Sequence, residues 1–562
     1  MIVLRATQAA AVVAFAGMPA GPTANDQVAW GAHGAVVSAE PHATRIGLEV
    51  LRAGGNAVDA AAAVFLALAV THPQAGNLGG GGFFLIRMAD GTCTAIDCRE
   101  TAPAAAHRDL YLRADGSVDA EKSLVGATAA AVPGSPAGVA LALARHGTWP
   151  LARVAAPAIA LARDGFEVDC FLAADLAEHQ RLLGRFPSSR AVFFNGDRPL
   201  RAGERLVQRD LAATLERFAA EGTEGFYRGR TAELVAAQMQ RDGGYVTGAD
   251  LAGYRAVERP VLRGTYRGFE ILTMPPPSSG GVALLQMLNV LEPYDLAGSG
   301  FGSSTTLHLL VEAMKRAFAD RARWLGDPDH FPVPVEGLVS KAYADRLRTT
   351  LRTDAATEVA PGQPPGAPEG NHTTHFSVVD AAGNAVACTT TLNSTFGSGL
   401  VVEGAGFLLN NEMDDFAAKP GVPNQFGLVG GKANEIAAGK RPLSSMTPTI
   451  VCRDGELRLV LGSPGGGRII STVLQVVSNV LDHGMPLEYA VRAPRVHHQW
   501  RPDAIRHEPN ALVADVRARL LALGHRLEPR PLEIGRCQAI EIRRGRRTAV
   551  ADPRSGGSAA AY

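Results

Sequence analysis

Two β-hydroxy residues, Thr373 and Thr374, stand between a stretch that cannot be regular and one that reads as buried strand. Before them, residues Pro361 to Pro368 form a Pro/Gly-rich run. Such a run excludes a helix or a central strand and predicts an exposed loop. After them, Phe376, Val378, Ala385 and Ala387 alternate with other residues around the turn signal Ala382-Gly383-Asn384. That pattern predicts a β-hairpin entering a core. Were the peptide bond between His372 and Thr373 cut, Thr373 would carry a free α-amine beside its own hydroxyl. An α-amine has a pKa near ~7.7–8.0, so it can take a proton at neutral pH. A threonine paired with its own amine is a known way of activating a weak nucleophile. Taken alone, two threonines before a strand are ordinary, because β-branched residues favour strands. Only further residues of matching chemistry can separate the two readings.

The chain supplies such residues in order. Downstream come Thr389-Thr390-Thr391-Leu392-Asn393, Asn410-Asn411-Glu412-Met413-Asp414-Asp415, Arg441-Pro442-Leu443-Ser444-Ser445 and Gly462-Ser463-Pro464-Gly465-Gly466. Upstream lie Asp97-Cys98-Arg99-Glu100-Thr101-Ala102-Pro103 and the run from Met274 to Gly281. The tail carries Asp552-Pro553-Arg554-Ser555. From about Ala35 to the C-terminus this set resembles the γ-glutamyltranspeptidase family of N-terminal-nucleophile hydrolases.

The resemblance implies a four-layer αββα sandwich, autocleaved between His372 and Thr373 into two interleaved subunits. The large subunit would span residues 25–372 and the small one 373–562. It implies that Thr373 attacks a γ-glutamyl amide, with glutathione the expected donor. The resulting ester would pass to water or to an amino acid or peptide acceptor. Thr391 would help to position the nucleophile, and Gly465 and Gly466 would donate backbone N–H groups to the oxyanion. The substrate α-carboxylate would meet Arg99, Ser444 and Ser445, and its α-ammonium Asn393, Glu412 and Asp415. No cofactor and no metal is implied. Where some relatives carry Gln, this chain has Glu412. Phe426 stands where the family often places a tyrosine, so a lid hydroxyl is missing.

Two competitors remain open. An acylase of the same superfamily, acting on glutaryl or similar β-lactam side chains, would have no ammonium to meet Asp415. A non-catalytic binding homologue would not need Thr373, Thr391 and the glycine pair.

The elements that must position these residues read as mixed α/β. With 562 residues the chain exceeds one simple core. Its 55 basic and 55 acidic residues balance to zero net charge, which disfavours nucleic acid as main partner. Ala35 to Ala39 reads as a strand, Ile46 to Leu51 as a helix, and Asn56 as the cap of an Ala-rich helix through Val70. The glycines of Asn77 to Phe83 precede a strand, not a helix, so a phosphate loop is excluded and close backbone packing is expected. An arginine such as Arg99, just after a strand, is ordinarily a solvated surface charge. Residues Pro136 to about Leu347 read as mainly helical scaffold. Pro420 to Lys440 reads as a long covering loop.

Six cysteines form no C-x-x-C pair and read as small core residues. His497 and His498, being neighbours, point apart and read as structural. Residues 1–24 resemble a short secretory signal, with an ordinary disordered terminus as the alternative. Export to the periplasm or beyond is the expectation, and no apolar stretch is long enough to span a bilayer.

Overall fold

The structure, a computed structural model, describes residues 27–361, 374–419, 422, 424, 425, 427, 428 and 431–562. His372, Thr373, Phe426 and the signal-like segment 1–24 lie outside the described residues.

Fourteen strands build two sheets: β1 (Val28–Gly31), β2 (Ala35–Ser38), β3 (Gly81–Arg87), β4 (Cys93–Cys98), β5 (Val257–Arg259), β6 (Leu262–Tyr266), β7 (Phe269–Thr273), β8 (Thr374–Val379), β9 (Ala385–Thr391), β10 (Thr449–Arg453), β11 (Glu456–Gly462), β12 (Gln538–Arg543), β13 (Arg546–Ala551) and β14 (Ser558–Ala561). One sheet runs β14-β2-β8-β9-β3-β4-β5 and the other β1-β13-β12-β11-β10-β7-β6. Every pairing within them is antiparallel. Between the sheets lies a dry layer in which Val37, Phe83 and Leu85 face Leu272, Ile450, Val460 and Ile540. Both faces of each sheet are therefore buried, which explains why the central strands are apolar at nearly every position.

Helices cover the outer faces. On the first sheet lie α1 (Pro41–Arg52), α2 (Ala57–Thr71) and α3 (Ser135–His146), with α4 (Leu151–Asp164) packed outside them on α2. On the second lie α5 (Gly280–Leu291) and α7 (Arg468–Leu481), with α6 (Ser304–Trp324) packed outside them on α5. The layers are thus α, β, β, α, the expected sandwich. Among the described residues no helix is long and apolar enough to cross a membrane.

Local chemistry sets these elements. Helix α2 opens with a capping box: Asn56 Oδ1 accepts from Val58 N at 2.9 Å and Asp59 N at 3.0 Å, and Asp59 Oδ2 accepts from Asn56 N at 2.9 Å. Every residue of α2 is buried, so its Ala-rich composition lets it sit close against the sheet. Helix α1 begins at Pro41, five residues before the expected Ile46. Glu40 caps it by accepting from His42 N and Ala43 N at 2.9 Å each, and proline suits the first turn. The mainly helical reading of Pro136 to Leu347 also needs correction, because β5, β6 and β7 lie inside it. Two of these lie at sheet edges, where half-exposed residues give no clear period-2 signal.

The glycine cluster does what close packing requires. Gly81 and Gly82 of β3 pair with Thr391 and Thr390 of β9. A Cβ on Gly80 would overlap the carbonyl oxygen of Thr391. Because that oxygen belongs to backbone it cannot swing aside. Gly80→Ala is expected to destabilise the protein by ~1–3 kcal/mol, the usual range for overpacking. A thermal melt of variant against wild type checks this; an unchanged melting temperature would refute the close approach.

Candidate active site

Strand β8 starts at Thr374, paired with Thr390, and β9 ends at Thr391. A cavity of about 590 Å³ opens where these strands end, lined by Thr374, His375, Thr391, Asn393, Gly465 and Arg468 among others. Residues far apart in the chain therefore share one wall.

Thr391 Oγ1 accepts from Asn393 N at 2.7 Å. That bond holds Asn393 in left-handed backbone, φ 75°, a conformation that asparagine tolerates better than most residues. Asn393 Nδ2 donates to Asn411 O at 2.9 Å. Asn393 thus joins the cavity to the neighbouring single turn Glu412–Asp415.

Gly465 and Gly466 sit just before α7, with φ of 128° and 67°. Side-chain-bearing residues rarely adopt either conformation. Their carbonyls accept from Arg468 N at 3.2 Å and Ile469 N at 2.9 Å. Their own N–H groups are at the positive end of the helix, where developing negative charge is favoured.

A buried charge cluster lies next to the cavity. Arg99 is fully buried, so the surface-charge reading of it fails. Its guanidinium donates to Glu412 Oε1, to Asp415 Oδ2 at 2.6 Å and to Pro442 O at 2.9 Å. Glu100 Oε2 lies at 3.4 Å. Asp97 sets the arginine's direction by accepting from Arg99 N at 3.0 Å, and is itself held by Arg259. Burial pushes Glu412, Asp415 and Glu100 well above the usual carboxylate range, while Arg99 pulls Glu412 and Asp415 back. Burial is opposed at Arg99 by Glu412, Glu100 and Asp415, which together leave it firmly protonated. Among the described residues, Glu412 Oε2, Asp415 Oδ1 and Asn393 Oδ1 are buried and meet no donor, unless a proton kept by one of the two acids bonds them to each other. Buried acceptors left unpaired are costly, and a cationic donor group would satisfy them.

The predicted cationic and anionic halves are thus brought together, but they are bonded to each other. Arg99, Glu412, Asp415, Ser444 and Ser445 are not among the residues lining the cavity. Ser445 Oγ accepts from Arg321 Nη2 at 3.0 Å, and Ser444 Oγ accepts from Met446 N at 3.1 Å. The proline-serine-glycine run cradles this pair: Ser279 N donates to Ser444 O at 2.7 Å and Ser444 N to Pro277 O at 2.9 Å.

Glu100, Arg321 and Arg468 escaped the sequence reading. Glu100 adjoins Arg99, which was a usable signal. Arg321 lies near the end of a helix read as scaffold, and nothing local marks it. From the covering loop, Gln425 N donates to Asp414 Oδ2 at 3.4 Å, and Asn434 Nδ2 donates to Asp415 O at 2.7 Å. Asp552 and Arg554 of the tail motif form an ion-pair knot with Arg495 and Glu508. His497 and His498 bond different partners, Ser471 and Asp503. Cys98, Cys388, Cys452 and Cys537 are buried, whereas Cys170 is exposed.

One group among the described residues brings metal-ligand atoms within 4.8 Å: His308, Glu312 and His525. The two imidazoles already hydrogen-bond at 2.7 Å, and Glu312 is bonded to Arg316 at 2.7 Å. Lys315, 3.6 Å from Glu312, adds positive charge that opposes a cation there.

His375, second in β8, bonds Thr389 Oγ1 at 2.9 Å and Ser377 Oγ at 3.1 Å. Burial alone lowers it to about 3 from 6.5. The unfolded chain therefore takes up a proton below pH 6.5 that the folded chain refuses. The stability due to neutral His375 is fully present above pH 6.5 and is lost as pH falls toward about 3. In that window His375→Asn should lower the slope of unfolding free energy against pH by ~1.4 kcal/mol per unit, the value for one proton. Urea titrations at several pH values check it, and parallel slopes for variant and wild type would sink the assignment.

Comparison of the chain with known proteins matches it to one family. The family model described as gamma-glutamyltranspeptidase matches residues 43–562. The "Glutathione hydrolase proenzyme" of Escherichia coli (strain K12) is 52% identical over 478 residues, covering 84% of this chain and 82% of that protein. The protein of the same description from Pseudomonas aeruginosa is 46% identical over 535 residues, 93% of this chain and 94% of its own. Among solved structures, a cephalosporin acylase from Bacillus halodurans superposes with a TM-score of 0.86 at 29% identity, covering 97% of this chain and 98% of that one.

Proposed function

The chain belongs to the γ-glutamyltranspeptidase family, and from that premise we propose that it is a proenzyme that cuts itself between His372 and Thr373 and then acts as a glutathione hydrolase and γ-glutamyltransferase. Thr373 is the nucleophile. The observation that carries the reading is the single cavity shared by Thr374, Thr391, Asn393 and Gly465.

In the first step the Thr373 hydroxyl attacks the carbonyl of His372, giving an ester by an N-to-O shift, and water then separates the chains. The cut divides the chain into a large subunit ending at His372 and a small one spanning 373–562. They remain one body because β8 and β9 lie between β2 and β3 in one sheet. In catalysis the new α-amine takes the proton from the Thr373 hydroxyl as its oxygen attacks the γ-carbonyl carbon. The N–H groups of Gly465 and Gly466 receive the oxyanion. Collapse expels the amine product, which recovers that proton, and leaves a γ-glutamyl ester. Water, or the amine of an amino acid or peptide, then attacks the ester with the same α-amine as base.

The α-carboxylate of the γ-glutamyl group pairs with Arg99, helped by Ser444 and Ser445, and its α-ammonium with Glu412, Asp415 and Asn393. Insertion of the zwitterion replaces the present contact between Arg99 and the two acids, charge for charge. It also supplies donors for the unpaired oxygens of Glu412, Asp415 and Asn393. A glutaryl amide, as in an acylase, has no ammonium and would leave those oxygens unpaired. That asymmetry favours the γ-glutamyl reading over the acylase. The signal-like residues 1–24 direct export.

Thr373→Ala is expected to give one uncut polypeptide without turnover, while wild type gives two bands on a denaturing gel and releases p-nitroaniline from a γ-glutamyl anilide. Stepwise degradation of the smaller wild-type band should begin at Thr373. A different first residue, or turnover by the alanine variant, would overturn the mechanism.

A further inference from the structure

The γ-glutamyl half of a donor engages the Arg99 cluster; the half beyond the scissile amide must occupy the cavity. The charges on its wall are used by none of the steps above.

Arg468, at the start of α7, is the unusual member. Its Nε donates to Gly465 O at 3.1 Å and its Nη1 to Glu533 O at 3.0 Å. Both acceptors are carbonyls, and among the described residues it makes no ion pair. Burial, then Arg506, lowers its pKa, and the Glu533 carboxylate, which is paired with Arg536, only partly offsets this. Such a group favours an anion brought by a ligand. Arg536 lines the same cavity and is half-exposed, paired through Nε with Glu533 Oε1 at 2.6 Å. Two of the three histidines on the wall add no positive charge near neutral pH: burial, with Arg536, lowers His72 to about 4, and burial lowers His375 to about 3. On the opposite sign the wall carries Asp175, which accepts from Gln74 Nε2 at 3.0 Å, together with Glu178 and Glu533.

We propose that Arg468, with Arg536 beside it, forms a carboxylate subsite that reads the free C-terminus of the amine half of the donor. It would serve equally the carboxylate of an amino acid or dipeptide acceptor. The inference rests on the γ-glutamyl reading above and extends it to the other side of the bond. The reach is right. Arg468 is anchored to the carbonyl of Gly465, beside the oxyanion donors, and a two-residue leaving group spans at most ~7 Å. A dipeptide leaving from that carbon can therefore place its terminal carboxylate at the guanidinium. The fork of an arginine suits a carboxylate better than any neutral donor on this wall. The competing role for Arg468 is purely structural, clamping the Gly465 loop through its carbonyl.

The test compares glutathione with the same tripeptide carrying a C-terminal amide, as substrates for wild type, Arg468→Gln and Arg536→Gln. Wild type is expected to prefer the free acid by roughly tenfold or more in kcat/KM, mostly through KM, as for a charge-assisted hydrogen bond. In Arg468→Gln that ratio should fall toward one, and in Arg536→Gln it should fall part of the way. Equal use of the two donors by wild type overturns the subsite alone and needs no variant to fold. A preference that survives in Arg468→Gln also overturns it and leaves the loop-clamping role. Cleavage of neither donor by wild type is a separate result, which overturns the γ-glutamyl reading and the subsite with it.

Discussion

The pairing of β8 with β9 is the constraint on which the remaining structure depends. It sets Thr374 against Thr390 and continues in register to Val379 against Ala385. An antiparallel register cannot slip by one residue without turning every side chain to the opposite face. Here both faces are buried, one against α2 and one against the second sheet, so the register is doubly fixed. The strand ends then have only one place to lie. Gly80, Gly81 and Gly82 allow the neighbouring chain to run close beside Thr391, because side chains there would collide with backbone or with Glu100.

The charged cluster around Arg99 is a second consequence of burial. Taking a guanidinium and three carboxylates out of water is expensive, and their attraction repays this only when the geometry satisfies most of their hydrogen bonds. Here it does so incompletely. Three anions surround one cation, and burial favours the neutral form of each acid. Three acid oxygens, Glu100 Oε1, Glu412 Oε2 and Asp415 Oδ1, meet no donor among the described residues. A cluster tuned only for stability would not keep those atoms unpaired. Under the function proposed above, a zwitterionic ligand would exchange the internal ion pairs for its own and supply the missing donors. The covering loop adds to this by donating to Asp414 and to the carbonyl of Asp415, which ties its position to that of the acids.

Much of this was legible along the chain because it depends on local chemistry. The hairpin through Gly383, the cap at Asn56 and the glycine run before β3 each announce themselves within a few residues. The beginning of α1 did not, since Glu40 as a cap and Pro41 in the first turn lie outside its apolar stripe. Strands β5 to β7 were hidden inside a helical reading because two of them are edge strands, whose residues are half-exposed. Arg99 is the clearest case of context deciding. An arginine after a strand is normally solvated, and only the fold places it under Glu412, Asp415 and the carbonyl of Pro442.

The sequence by itself determined the family, the four-layer architecture it implies and which residue types could do chemistry. The family and its architecture rest on the resemblance that motif order carries, whereas periodicity alone gives only mixed α/β. Tertiary structure alone decided which groups meet. Arg321 reaches Ser445 across 124 positions, and Arg99 reaches Asp415 across 316. It also decided that the cation and the acids of the cluster are bonded to one another, and that Arg468 stands in the cavity without an ion pair among the described residues. Contacts of that range, and the desolvation that gives them their strength, depend on the packing of whole layers and are written in no local run of residues.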